Sequence, residues 1–131
     1  MPVLEYFSVY IFGALGYGLI EILWRGHTHW TMLVLGGACF VAVYIIANFT
    51  YEALWKKWLM CGAVITTLEF LTGVLVNLRL GWNVWDYSGV KLNLCGQICA
   101  MYSLFWVLLS IPAVWLCRFV HTHVFAALAG G

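Results

Sequence analysis

Four long apolar segments alternate with three shorter polar segments along the chain. The apolar segments cover about residues 3–24, 30–51, 58–80 and 95–119. Each is about twenty residues or longer, and a helix of that length crosses the roughly 30 Å hydrocarbon core of a bilayer. The pattern therefore predicts an all-α membrane protein with four transmembrane helices. The connections are short enough to predict an up-down bundle, and we expect a single transmembrane domain over residues 1–131.

One ionisable residue interrupts the third apolar segment. Glu69 has about ten residues of this segment on each side, so its carboxylate falls near the middle of the predicted helix. An ionisable group at that depth costs several kcal/mol unless it is paired, protonated or hydrated, and it rarely faces lipid. Glu69 is therefore the leading candidate for a functional residue. The alternative is a protonated glutamate that only holds helices together by hydrogen bonds.

Each predicted span also carries a stripe of small or polar residues. Their steps of three, four and seven place each stripe on one helix face. Such a face serves either for close helix packing or as the lining of a pathway. The stripes are Tyr6, Tyr10, Gly13, Tyr17 and Glu21; then Gly37, Tyr44, Asn48 and Tyr51; then Gly62, Thr66, Glu69, Gly73 and Asn77; and finally Cys99, Ser103, Trp106 and Ser110. Pro112 lies inside the fourth span, where a kink is expected.

Polar residues also gather at one end of the predicted bundle. Four spans place the first and third connections on the same membrane face, together with Glu21, Asn77, Arg79 and Asp86. Glu69 lies deeper below that face, so the sequence predicts a polar cleft that opens there. Arg79 is the predicted partner of Asp86 or Glu21, because an opposite charge keeps an acid ionised. Snorkelling of Arg79 to the headgroups is the alternative.

The composition supports a membrane location. The chain is 65% hydrophobic and only 8% charged, with a mean hydropathy of +0.97, whereas soluble domains are about a quarter charged. The aromatic fraction of 18% suits belts at both membrane interfaces. A net charge of +1 without a basic patch gives no reason to expect a nucleic-acid partner. No signal-peptide pattern precedes the first apolar segment, so we expect a retained span.

The basic residues leave the orientation undecided, because three fall on each predicted membrane face. They are Lys56, Lys57 and Arg118 on one face, and Arg25, Arg79 and Lys91 on the other.

Histidines and cysteines raise the question of a metal. His27 and His29 follow the first span and His121 and His123 follow the fourth, so the two pairs lie on opposite faces and are expected to be interfacial rather than to share an ion. The five cysteines are odd in number and mostly apolar in setting, which favours buried thiols over disulfides. Cys95 and Cys99 would share a helix face, but no further ligand is near. We expect no metal, no cofactor and no catalytic motif.

Four motifs resemble the CmpB-type family, whose members are described as ABC-transporter permeases. They are the Thr67-Leu-Glu69-Phe-Leu-Thr-Gly73 element in the third span, residues 85–88, residues 93–99 and residues 103–106, with weaker support around Gly16, Tyr17 and Glu21. The resemblance is strongest over residues 66–106. It implies a compact membrane bundle with a permease role. It places emphasis on Glu21, Glu69, Trp85, Asp86, Tyr87, Ser88, Asn93 and Gly96.

Residues 85–88 suit a re-entrant or interfacial turn. Trp85 and Tyr87 would anchor it at headgroup depth, while Asp86 and Ser88 would satisfy backbone groups by local hydrogen bonds.

The chain departs from the family pattern at two places. Residues 25–30 run straight into an apolar helix, where many relatives have a Gly-Pro and a Pro-Ile-Tyr-Gly segment. Gln97 stands where relatives often have Arg, so a polar site built around that Arg is expected to be altered.

Transport of a small solute or ion is the leading functional hypothesis. Glu69 would be the central binding or proton-linked group, and the candidate binding set is completed by Glu21, Asn77, Arg79, Asp86, Tyr87 and Asn93. The expected setting is the bilayer of a bacterial-type cell membrane, as a homodimer or in a larger membrane complex. The alternatives are a non-transporting subunit or lipid-binding scaffold, and an intramembrane enzyme that uses the carboxylates as acid and base.

Overall fold

The computed structural model describes residues 2–125, which form four α-helices and a two-stranded hairpin. The helices are α1 (Pro2–Arg25), α2 (Trp30–Phe49), α3 (Leu54–Gly73) and α4 (Ala100–Val120). Helix α3 continues as a π-helical segment, Val74–Arg79, and α4 continues as another, His121–Phe125. The hairpin pairs β1 (Asn93–Leu94) with β2 (Ile98–Cys99) in antiparallel register. All four helices are long and apolar enough to cross a membrane, so the predicted fold class is confirmed.

The helix boundaries differ from the predicted spans at two places. Helix α3 begins at Leu54, four residues before its predicted start, and α4 begins at Ala100, five residues after its predicted start. The late start of α4 has a local cause. Cys95 and Gly96 have φ values of 56° and 72°, in the left-handed region that a right-handed helix excludes. Cys95 and Cys99 therefore do not share a helix face as predicted; Cys95 is exposed and Cys99 is buried. The predicted domain runs to residue 131, and residues 1 and 126–131 lie outside the described part.

Helix α2 is the centre of the bundle, because it packs against α1, α3 and α4. Around it lies a core of buried residues from all four helices, among them Val9, Tyr44, Cys61 and Val114. The contact of α1 with α2 is close: a Cβ added to Gly36 would come within 2.7 Å of the Tyr17 Cβ. Small residues permit such approaches between membrane helices, so part of the predicted stripes serves packing.

Helix α1 meets α4 at its two ends and leaves a gap between them. At one end the Glu5 carboxylate lies 3.1 Å from His121 Nδ1. At the other end the Tyr17 and Trp106 ring centroids are 6.2 Å apart. Between these two contacts, α2 is the one described element against which α1 packs extensively. We call this gap the α1–α4 window.

A buried lysine closes the end of α2. Lys57 Nζ donates to the Ala47 carbonyl over 2.7 Å, and Thr50 Oγ1 donates to the Ile46 carbonyl over 2.6 Å. The last carbonyls of a helix have no partner within it, and a cation there also complements the helix dipole. Lys57 thus lies inside the bundle end, whereas the sequence placed it in a connection between helices.

Residues 80–99, which we call the capping loop, fold back onto the bundle. Trp85 is only 4% exposed and packs in a core cluster with Met32, Leu35 and Cys39 of α2. Its indole Nε1 donates to the Gln97 carbonyl over 3.0 Å. The prediction that Trp85 anchors at headgroup depth is therefore wrong. The indole fits between the helices because Gly73 has no side chain: a Cβ on Gly73 would lie 3.0 Å from the Trp85 ring.

The hairpin turn at the end of the capping loop carries a conformational cost that a substitution can relieve. Gln97 N–H donates to the Leu94 carbonyl over 3.0 Å, and both central residues of this turn, Cys95 and Gly96, have positive φ. Such turns prefer Asn or Asp before Gly. Cys95→Asn is therefore expected to stabilise the fold by about 0.5–1 kcal/mol, measured by thermal unfolding in detergent. Cys95→Ala is the control, and an equal gain in both variants would contradict this account.

Candidate functional site

Glu69 is buried among the helices and hydrogen-bonded at both oxygens. Glu69 is only 2% exposed. Trp106 Nε1 of α4 donates to Glu69 Oε1, and the Tyr87 hydroxyl of the capping loop donates to Glu69 Oε2, each over 3.3 Å. Within residues 2–125, no Lys, Arg or His nitrogen lies within 4 Å of this carboxylate. Glu69 is thus a buried acid with two neutral donors and no cationic partner in that part of the chain.

The Tyr87 hydroxyl keeps its proton and can therefore donate a hydrogen bond to Glu69. Burial, and secondarily the nearby Glu69 carboxylate, raises the pKa of the Tyr87 hydroxyl above its usual range. Its ring stacks on Tyr102 of α4, with centroids 5.1 Å apart and an interplanar angle of 15°. The capping loop therefore presents a fixed hydroxyl to Glu69, as expected if Tyr87 belongs to the site.

A second acid, Glu21, lies near the end of α1. The Tyr17 hydroxyl donates to Glu21 Oε2 over 2.9 Å, and Arg25 Nη1 lies 3.7 Å from the same oxygen. Arg25 also donates to the Val84 carbonyl of the capping loop over 3.4 Å. The predicted partner Arg79 is exposed and makes no ion pair within the described residues, so that prediction is wrong. Glu21 and Arg25 are four residues apart on one helix, which favours their pairing over one that needs a distant connection.

Removal of the Arg25 charge is expected to destabilise the protein. Among residues 2–125, Arg25→Gln would leave the buried Glu21 with Tyr17 as its one side-chain partner, at a cost of about 1–2 kcal/mol. Arg79→Gln is the matched control and should change stability by less than about 0.5 kcal/mol. Thermal unfolding of both purified variants in the same detergent distinguishes them. Equal losses would show that Arg25 is not the functional counter-ion of Glu21.

Asn77 connects the end of α3 with the capping loop through a neutral hydrogen-bond network. Its Nδ2 donates to Gln97 Oε1 over 2.8 Å, and its Oδ1 accepts the Val84 N–H over 2.7 Å. Gln97 is 2% exposed and its Nε2 donates to the Cys95 carbonyl over 2.9 Å. The Gln97 amide is therefore buried, and its hydrogen-bond partners, the Asn77 amide and the Cys95 carbonyl, are uncharged. Asn77 and Gln97 therefore attach the loop to the bundle, and neither side chain has a hydrogen bond to Glu69 in the described structure.

Asp86 and Asn93, two further predicted site residues, organise the outer part of the capping loop. Asp86 Oδ1 accepts the Ser88 N–H over 2.9 Å, the local hydrogen bond that the sequence predicts. This hydrogen bond holds the pKa of the exposed Asp86 carboxyl below its usual range. Asn93 Nδ2 donates to the Val90 carbonyl over 2.8 Å, and Asn93 Oδ1 accepts the Gly96 N–H over 2.9 Å. Neither side chain has a hydrogen bond to Glu69.

A cavity of about 330 Å³ lies behind the α1–α4 window and reaches Glu69. All four helices contribute to its lining, which is largely apolar and aromatic. Phe12 and Ile20 of α1 line it while remaining partly exposed, so the cavity is open at the side of the bundle. The predicted cleft at the end of the bundle is thus replaced by a lateral cavity, and the capping loop covers that end.

Three residues of this site, Tyr17, Trp106 and Arg25, were not among the binding residues predicted from the sequence. Tyr17 and Trp106 stood in the helical stripes, and the Glu21-to-Arg25 spacing of four was visible, so each carried a signal. The hydrogen bonds that join Glu5, Tyr44 and His121 had no such signal, because they connect residues up to 116 positions apart, although Tyr44 itself stood in the second stripe.

The two histidine pairs are separated in the structure. His29 accepts the Thr31 N–H at the start of α2, whereas His121 joins Glu5 and Tyr44 at the other end of α1. Residues 2–125 contain no cluster of three metal-ligating side chains.

Four helices of spanning length around a lateral cavity define an integral membrane protein. The model of the family described as "Putative ABC-transporter type IV" matches residues 6–129, nearly the whole chain. The chain belongs to that family, and the resemblance drawn from its motifs is confirmed. No curated protein and no solved structure matches the chain.

Proposed function

We propose that this protein carries a small solute across a bacterial cell membrane, with Glu69 as the group that binds it. The observation that supports this proposal is the buried Glu69 carboxylate, which lines a cavity and has no cationic partner among the described residues. An uncompensated acid among apolar helices is costly to retain, which makes it a candidate functional site. Membership of a transporter-type family agrees with this direction.

The surroundings of Glu69 provide a physical route from binding to movement. Its two donors come from different elements, since Tyr87 belongs to the capping loop and Trp106 to α4. A solute that binds the Glu69 carboxylate would compete with both hydrogen bonds. Loss of the Tyr87 contact would weaken the hold of the capping loop over the bundle end. Glu69 would thereby couple occupancy of the cavity to opening on the loop side.

Assembly is part of the proposal, because one four-helix bundle is small for a complete pathway. Helix α1 packs mainly on α2 and leaves a largely apolar outer face, with Phe7, Leu19 and Leu23 exposed. We propose that the protein works as a homodimer or within a larger membrane complex. The energy source would then come from a partner or from an ion gradient.

Flux in reconstituted vesicles tests the proposal. Purified protein would be compared with protein-free vesicles for uptake of protons, inorganic ions, and cationic, neutral and anionic organic solutes. Protein-dependent, saturable flux of at least one of these is expected. The absence of flux for every solute, in vesicles where the protein is shown to be folded and inserted, would overturn the transport proposal.

A lipid-binding scaffold is the second candidate. The lateral opening of an apolar cavity favours it, because a lipid chain could enter without crossing the polar end of the bundle. Co-purification of one stoichiometric lipid or membrane partner, together with no flux, is the result that would select this function.

A further inference from the structure

We infer that the cavity behind the α1–α4 window binds a lipophilic organic cation, about two fused rings in size, that enters from the bilayer. This inference deepens the proposed function, because it names the class of solute that Glu69 would bind. The argument rests on the charge, the aromatic lining, the size and the position of the cavity.

The charge of the cavity points to a cation. Among the described residues that line the cavity, Glu69 is the one acidic side chain, and none of them is Lys, Arg or His. An anion would meet an uncompensated carboxylate in a poorly hydrated site, whereas a cation would neutralise it. Each carboxylate oxygen accepts one hydrogen bond, from Trp106 and Tyr87, and so keeps further acceptor capacity.

The remaining lining points to an organic cation rather than a metal ion. A hard metal ion requires several oxygen ligands, but besides Glu69 the described lining offers only the side-chain hydroxyls of Tyr17 and Ser110. The aromatic rings of Phe12 and Phe40 also line the cavity. Aromatic faces attract diffuse cations and provide little that replaces the water of an inorganic ion.

The size and position of the cavity limit the ligand further. Its volume of about 330 Å³ is roughly twice the ~150 Å³ of a cavity that holds a single benzene ring. The opening lies between α1 and α4, two helices whose outer faces are apolar, while the capping loop covers the end near Glu69. A ligand that partitions into the bilayer therefore has a direct path to the carboxylate.

Gly16 offers a way to fill the cavity without disturbing the helices. It lines the cavity, and a Cβ added there would meet no atom within 4 Å. Gly16→Leu should therefore occupy ligand space while α1 stays helical, since Leu is a better helix former than Gly. Its neighbour Leu15 is exposed and absent from the lining, so Leu15→Phe is the matched control.

Equilibrium dialysis against protein in nanodiscs, with protein-free nanodiscs subtracted, tests the inference with three probes of one shape. They are N-methylquinolinium as the fixed cation, 1-methylnaphthalene as its neutral counterpart and 1-naphthoate as the anion. The wild type should bind one cation per chain at least tenfold more tightly than either other probe. Glu69→Gln should weaken cation binding at least tenfold and leave the neutral probe unchanged, which also shows that the cavity is intact. Gly16→Leu should weaken both probes, and Leu15→Phe neither.

Equal binding of the cation and the neutral probe would overturn the inference, because a cavity that ignores charge is one that a lipid chain would fill. Unchanged cation binding in Glu69→Gln would overturn it as well. The outcome is independent of the flux result. Cation binding without any flux would reject transport and keep the site, whereas flux of a hydrophilic solute without cation binding would keep transport and reject this ligand class.

Discussion

Glu69→Gln is expected to abolish protein-dependent flux in vesicles, with a loss of at least a hundredfold relative to the wild type. The amide has nearly the same shape: its oxygen can still accept from the Trp106 indole, and its NH2 group can donate to the Tyr87 hydroxyl, so the fold should remain. It cannot carry a negative charge or exchange a proton, which are the two properties that the proposed mechanism requires. Initial rates at matched protein content, with unfolding temperatures measured in parallel, provide the readout.

The surface acid Glu52 provides the control for this experiment. Its carboxylate is about half exposed and lies 3.7 Å from Lys56 Nζ, in the connection between α2 and α3. Glu52→Gln removes the same charge at a site remote from the cavity lining and should retain wild-type flux. Retained flux in Glu69→Gln would sink the assignment of Glu69 and leave it a structural hydrogen-bond acceptor. Equal loss in both variants would point to net charge instead of the site.

Trp85→Ala is expected to release the capping loop from the bundle. Deletion of a buried Trp side chain typically costs about 3–5 kcal/mol, and here the indole also loses its hydrogen bond to the Gln97 carbonyl. Met32, Leu35 and Cys39 would lose a packing partner at the same time. We expect a large fall in unfolding temperature in detergent and faster hydrogen exchange across residues 80–99.

Trp82→Ala is the matched comparison on the same loop. Trp82 is 48% exposed and packs edge-on against Trp30, with ring centroids 5.8 Å apart. Its removal should cost about 1 kcal/mol or less and leave the exchange of residues 84–99 unchanged. If the two variants behave alike, the indole of Trp85 does not anchor the loop, and the buried amides of Asn77 and Gln97 would be the attachment that remains.

The helices could be predicted from the sequence because each depends on local information. A run of about twenty apolar residues has one stable form in a bilayer, a helix that satisfies its own backbone. Burial of Glu69 followed from the same reasoning, since a carboxylate within such a run avoids lipid. The ends of the helices were less certain, because Leu54 and Ala100 owe their positions to packing and turn geometry outside the apolar pattern.

The capping loop could not be predicted, because its conformation depends on contacts that are distant in sequence. Trp85 is inserted where α2 offers Met32 and Leu35 and α3 offers Gly73. Residues 85–88 alone do not show whether the Trp85 indole is buried between helices or lies at the membrane interface. The predicted pairing of Arg79 failed for a different reason: a nearer cation, Arg25, was available one helical turn from Glu21.

The π-helical end of α3 makes the chain sensitive to a change in length as well as to a change in residue type. Leu80 N–H donates to the Leu75 carbonyl, five residues back, over 3.0 Å. This wider winding sets the direction in which Asn77 points toward Gln97. Loss of a single residue within Val74–Arg79 would remove the residue that this wider turn accommodates, so the segment would close into an ordinary α-helix and Asn77 would lose the direction in which it reaches Gln97. The attachment of the capping loop therefore depends on the number of residues before it as well as on their types.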